Sequence, residues 1–351
     1  MKRFFVLRIM AIAVLSLSVS CSNSSKNIFD CPVDMATPVE TDALTGHPVT
    51  FNKQPAMQII NLHTVDSFLV VKANVKESAK QMFVFNLRDK EYAGSFITRG
   101  RGAGELLKPI CSGTYRCQSD YSPLYIFDLS LCEAYTFDIE ASMETGKTEM
   151  NRICGLPDGT LYAYPFRDSM HFVKRPEPDG MTGMILNPDG STAKELPMYS
   201  GLPGLTYFDK LSSADVFFRN TSIFIMAMSM LPQVNFIDIE TGEKHTTAVN
   251  RQYRDWEQIF SEDMTAQSIY YTTVVPASNL VIALYYGVPL SDWATGNALP
   301  HLHVFNTEGE LLYDLRLAES LKAIAYDEYS GILYGADMED KLFQYDMSGI
   351  L

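Results

Sequence analysis

LKAIAYDEYSGILYGADMEDKLFQYDMSG, residues 321–349, decides the fold. Three apolar runs, 321–327, 331–337 and 342–346, are separated by Asp, Ser and Gly turn residues. Each run is too short for a helix and is rich in the aliphatic and aromatic residues of strands. The closing unit is an apolar-aromatic strand, then Asn or Asp, then a turn and usually another strand, and it recurs upstream. It is found as FVFNLRDKEY (83–92), YTFDIEASMETGK (135–147), MILNPDGSTAK (184–194), VNFIDIETGEK (234–244) and HVFNTEGELLY (303–313). Anchored on Phe85, Phe137, Leu186, Ile237, Phe305 and Tyr345, the copies are 52, 49, 51, 68 and 40 residues apart.

Each copy reads as two strands and a hairpin. Phe83, Phe85 and Leu87 alternate with the period of a half-buried strand, and Pro188-Asp189-Gly190, Thr241-Gly242 and Glu308-Gly309 supply turn chemistry. Two more strand candidates precede each hairpin, as at 268–275 and 279–287 before 303–313. Four short strands in about fifty residues are a propeller blade. The expected fold is therefore all-β, a six-bladed β-propeller over residues 47–351. The last copy ends too soon to supply an outer strand, and HPVTF (47–51) is the expected donor, because it would remove the open sheet edge.

Composition agrees. The 351 residues are 46% hydrophobic and 20% charged, which excludes a disordered chain. Six cysteines are too few for a disulfide-built scaffold. Lys and Arg number 28 against 42 Asp and Glu, a net charge of −14, so no basic stripe is available for nucleic acid.

Residues 1–20 read as a signal peptide. Lys2, Arg3 and Arg8 precede the apolar run Ile9 to Val19, which is too short to span a bilayer. Leu17-Ser18-Val19-Ser20-Cys21 resembles the lipobox of bacterial lipoproteins, although Leu stands one residue further back than is usual. In that family the chain is cut before the cysteine, which makes Cys21 the expected lipidation site. Residues 21–46 then form a tether and lead-in. Removing Lys2, Arg3 and Arg8 with the signal leaves 25 − 42 = −17.

FITRGRGAGELLKP (96–109) and AIAYDEYSGILYGADMEDKLFQYD (323–346) resemble stretches of the TolB-like six-bladed propeller lipoproteins of Bacteroides-type bacteria. Ala103 stands where that group usually has Pro. The resemblance implies a propeller in the cell envelope, lipid-anchored at the outer membrane. It implies no particular reaction.

Candidate chemistry is sparse. Gly100 to Glu105 lacks the Lys-Ser/Thr pair of a phosphate loop and reads first as an inter-blade turn, with Arg99 and Arg101 as candidate ligand cations. His301 and His303, two apart on a strand, share a face, but no third metal ligand is apparent, and a surface pair is the plainer reading. No HExxH, CxxC, EF-hand or GxSxG pattern occurs. Cys31, Cys111, Cys117, Cys132 and Cys154 are an odd set, so one thiol at least is free. Cys111, Cys132 and Cys154 are read into loops where a bridge is conceivable.

Three connections are long: 198–212, 251–267 and 288–300. With alternating strands they share one face with the 99–105 turn. Tyr253, Trp256 and Phe260 have helical spacing, and Trp293 lies in the third connection. Tyr253, Trp256 and Trp293, with Arg99, Arg101 and Glu105, are the expected ligand platform beside the channel mouth, against the plainer reading of a capping helix. The expected role is a binding module for an envelope protein, peptide or glycan, with no cofactor. The alternative is a lactonase- or lyase-like propeller enzyme acting on a carbohydrate-derived substrate. It would hold a divalent cation in the channel, with Asp215, Asn220 and Asp337 as candidate carboxylate and amide ligands.

Overall fold

The computed structural model describes residues 27–38, 43–76, 78–114, 123–167, 169–200, 210–218, 221–249, 256–263 and 266–351. Cys21, Cys117, Asn220 and Tyr253 lie outside the described residues. Six sheets, each built on four antiparallel strands ordered from the ring centre outward, form a six-bladed β-propeller, and the short parallel strand Glu105–Leu106 adds a fifth to blade one. Blade one comprises Gln58–Val65, Phe68–Asn74, Lys80–Asn86 and Glu91–Arg99. Blade two comprises Pro109–Thr114, Leu124–Asp128, Glu133–Asp138 and Glu149–Gly155. Blade three comprises Tyr162–Phe166, Met170–Glu177, Gly180–Leu186 and Thr192–Tyr199. Blade four comprises Ser213–Phe217, Ile223–Met228, Gln233–Asp238 and Lys244–Val249. Blade five comprises Ser268–Ala277, Leu280–Pro289, His301–Phe305 and Leu311–Arg316.

Blade six takes three strands from the end of the chain, Leu321–Asp327, Ile332–Asp337 and Leu342–Asp346, and its outer strand from His47–Val49. The pairing is antiparallel, with His47 opposite Gln344 and Val49 opposite Leu342. This is the expected closure. Pro48 fits it because an edge strand can spare one N–H. The close is tied further by Glu319, whose carboxylate accepts from the Gly46 N–H at 3.1 Å and the Tyr345 hydroxyl at 2.7 Å. A side chain at Gly46 would lie 2.7 Å from the Tyr345 ring, so glycine is required there.

The apolar faces of the strands gather into clusters between neighbouring blades. Val71, Phe85, Tyr334 and Leu342 join blades one and six, whereas Val70, Phe96, Ile126 and Phe137 join blades one and two. Both faces of a central strand are therefore buried, which explains runs such as Leu124–Asp128 with every residue buried.

Three local features depart from the sequence reading. The 135–147 stretch is not a tight hairpin. A helix, Ile139–Thr145, connects the two strands of blade two; Asp138 caps it by accepting from the Ala141 N–H at 2.9 Å, and Gly146 ends it at φ 68°. The lead-in is partly folded: Val33–Ala36 adds a fifth, parallel strand outside blade four, and Phe29 is fully buried in the cluster between blades three and four. Finally, Cys111 and Cys154 lie within strands and only Cys132 lies in a turn; all three, with Cys31, are free thiols.

Candidate ligand-binding site

The first strand of every blade runs in the same sense along the channel. Its last residues therefore meet at one end of the ring. There they enclose a cavity of about 600 Å³ lined by residues of all six inner strands, among them His63, Thr64, Ser112, Thr114, Phe166, Phe217, Val275 and Tyr326. Asp66, Arg167, Phe218 and Tyr329, from the turns that follow these strands, add to the rim. The lining is mainly rings, small apolar groups and hydroxyls. Phe166 and Phe217, from blades three and four, stack with centroids 5.5 Å apart. Tyr329 is 85% exposed at the tip of its turn.

Among the described residues the charged side chains at the mouth are those of Asp66 and Arg167. Arg167 pairs with Glu240 of the neighbouring blade at 2.5 Å and lies over the Phe166 ring at 5.4 Å. Arg167 and Ser169 hold left-handed backbone angles of 43° and 114°, an unfavourable geometry that the turn imposes beside the cavity. His63 faces the channel as a neutral imidazole: burial, reinforced by the Lys72 ammonium, pushes it down to about 4. Its Nε2 has no hydrogen-bond partner among the described residues. A second hollow of about 490 Å³ between blades six and one shares Asp66 and Tyr329 with the mouth and adds Arg88, Lys90 and Tyr334.

The sequence-derived platform residues lie elsewhere. The 99–105 turn follows an outer strand, and the helices Trp256–Ser261 and Leu290–Trp293 lie in connections of the same parity. All therefore sit at the end of the ring opposite this cavity, and none lines it. Arg99 and Arg101 are exposed there. Glu105 turns back into its own loop, where its carboxylate accepts from the Gly102 N–H at 2.8 Å. Trp256 packs on Phe260 at 5.8 Å in the cluster of blades three and four. Trp293 packs edge-on to Tyr286 at 6.4 Å in the cluster of blades five and six. The two tryptophans thus serve separate apolar clusters.

The proposed carboxylate ligands of a channel metal do not meet either. Asp215 pairs with Lys174 at 2.6 Å, both side chains being buried between blades three and four. Asp337 caps its own turn by accepting from the Glu339 and Lys341 N–H groups. His301 and His303 are not a surface pair. His303 is 1% exposed, and Asp314 from the next strand stands beside both. Burial holds His303 down to about 3, against the pull of Asp314. The sequence reading missed Asp314 and the mouth residues. The copy 303–313 reads as two strands and a hairpin, but nothing local shows that Asp314 would face the histidines.

Neither a family model nor a curated protein matches the chain. Solved structures do. A member of the DUF4221 family from Bacteroides vulgatus superposes with a TM-score of 0.59 at 11% identity, covering 87% of this chain and 96% of that one. A putative exported protein from Bacteroides fragilis gives 0.55 at 10% identity, covering 89% and 98%. At these identities the likeness is one of fold.

Proposed function

We propose that this protein is a TolB-like, lipid-anchored binding module of the bacterial cell envelope, held at the outer membrane through Cys21, and that its ligand seats in the channel mouth. One observation carries the site: a cavity of about 600 Å³ lined by all six inner strands, with rings from His63, Phe166, Phe217 and Tyr326 and hydroxyls from Thr64, Ser112 and Thr114. That volume is in the range of small-molecule sites, and the mixture of stacking faces with scattered hydroxyls suits a glycan or a short peptide. The charged start, the short apolar run and the cysteine support export and lipidation. The Bacteroides fragilis protein of similar fold is itself described as exported.

The test is a thermal-shift and calorimetric screen of the purified chain against envelope oligosaccharides and peptides. The expected result is a ligand that raises Tm, whose effect is lost in Thr114→Trp, which fills the mouth, and weakened in Tyr329→Ala. The same ligand should still bind Trp256→Ala/Trp293→Ala. Binding lost only in the tryptophan variant moves the site to the opposite face, with Arg99 and Arg101. A screen with no ligand counts against the binding-module reading.

A further inference from the structure

We propose that blade five carries a transition-metal site, formed by His301, His303 and Asp314, that takes Zn²⁺ or a similar borderline dication. His301 and His303 alternate on the third strand and so share a face, and Asp314 is the direct cross-strand partner of His303. One potential ligand atom from each residue falls within 4.8 Å of the others. Asp314 Oδ1 is 2.6 Å from His301 Nδ1 and 3.6 Å from His303 Nε2.

A buried polar network alone would explain the cluster, but it leaves one atom unexplained. His303 is held rigidly: the Tyr271 hydroxyl lies 3.0 Å from Nδ1, and the Tyr285 ring stacks on the imidazole at 4.1 Å and 19°. The other nitrogen, Nε2, is buried and has no hydrogen-bond partner among the described residues. Leaving such an atom unpaired in a packed interior is costly. An imidazole with one nitrogen fixed by an outer partner and the other bare is the usual state of a metal-ligating histidine. The 3.6 Å from Nε2 to the carboxylate is close to the separation of two ligands sharing a cation at about 2.0–2.1 Å. The hydrogen bond between His301 and Asp314 would be exchanged for coordination. Two imidazoles and one carboxylate favour Zn²⁺, Co²⁺ or Cu²⁺ over Ca²⁺ or Mg²⁺, which prefer all-oxygen sets. His301 is 25% exposed and provides the entry path; a water molecule would complete the shell.

The site is remote from a channel metal, because its residues come from the third and outer strands of one blade. It is independent of the channel-mouth reading. The test uses the purified full chain stripped with chelator, then titrated with ZnCl₂ or CoCl₂ alone. One equivalent of Zn²⁺ should bind, raising Tm, and Co²⁺ should develop visible absorption bands of a low-symmetry nitrogen–oxygen site. His301→Ala and Asp314→Asn should each weaken Zn²⁺ binding at least tenfold and abolish the Co²⁺ bands. His301→Ala also takes the 2.6 Å partner from the buried Asp314 carboxylate, so its metal-free form should melt below the metal-free parent, and the deciding readout is the Zn²⁺-induced rise in Tm, which both variants should lose. Absence of Zn²⁺ binding, or binding and Co²⁺ bands that persist in both variants, overturns the proposal. Equal stabilisation by CaCl₂ and MgCl₂ would also overturn it.

Discussion

Lys174 shows what one residue does in this ring. Its ammonium is fully buried, 2.6 Å from Asp215 Oδ2 and 3.0 Å from Ser213 Oγ, and the Tyr164 hydroxyl donates to the same carboxylate oxygen at 3.0 Å. The pair joins blade three to blade four. Removing one partner strands the other charge in a low dielectric, whereas removing both strands neither. Lys174→Met should therefore cost about 3–5 kcal/mol in urea unfolding, and adding Asp215→Leu should restore most of it. A Lys174→Met protein as stable as the parent would show the pair to be idle. His171 makes a second case. It is buried between the Tyr125 hydroxyl, 3.0 Å away, and Cys154 Sγ, 3.4 Å away, and burial pushes it down to about 4. Its unfolded value is about 6.5, so below that pH the unfolded chain takes a proton that the folded chain refuses. Its contribution is whole above pH 6.5 and falls by about 1.4 kcal/mol per pH unit toward 4. His171→Gln should flatten the fall in urea midpoint between pH 6.5 and 5 by one proton's worth. An unchanged slope would mean that the folded protein protonates this histidine normally.

At the scale of elements, the N-terminal segment performs two closures. His47–Val49 completes blade six, and Val33–Ala36 extends blade four while Phe29 fills the neighbouring cluster. Phe29 meets Tyr199 edge-on at 5.2 Å and is 0% exposed. Phe29→Ala should cost about 3–5 kcal/mol, the range for emptying a phenylalanine site in a close-packed core. A chain beginning at Met57 loses both closures and bares the edge of Leu342–Asp346. It should aggregate or melt without a cooperative transition, as read by size-exclusion chromatography and scanning calorimetry. A truncated chain that stays monomeric and melts like the parent would show that the ring closes without its outer strand.

For the whole molecule, the first described residue is already fastened to the propeller: the Asn27 side chain donates to Thr246 Oγ1 at 2.8 Å. If Cys21 carries lipid, the six intervening steps reach at most about 20 Å, so the body would sit close to its membrane. Cys21→Ala should move the protein from the membrane pellet to the soluble fraction, and intact mass should show the loss of the acyl groups. A variant that stays in the pellet with residues 1–20 attached would remove the lipoprotein reading. No helix among the described residues is long and apolar enough to cross a membrane.

What the sequence determined by itself was periodic. Apolar alternation and turn chemistry recur about every fifty residues, and a short final copy requires a donor strand, so blade number and ring closure were legible from Phe85 to Tyr345 and at 47–51. The tertiary structure alone decided three things. Val33–Ala36 pairs in parallel with residues more than two hundred positions away, and no local pattern encodes that partner. Asp314 meets His303 because of strand register, which a one-residue slip would have reversed. The cavity opens where six inner strands end, opposite the long loops that carry Trp256 and Trp293. Each strand contributes only a few residues to it, and they are brought together only when the ring closes, because strand direction sets which end of every blade faces the mouth.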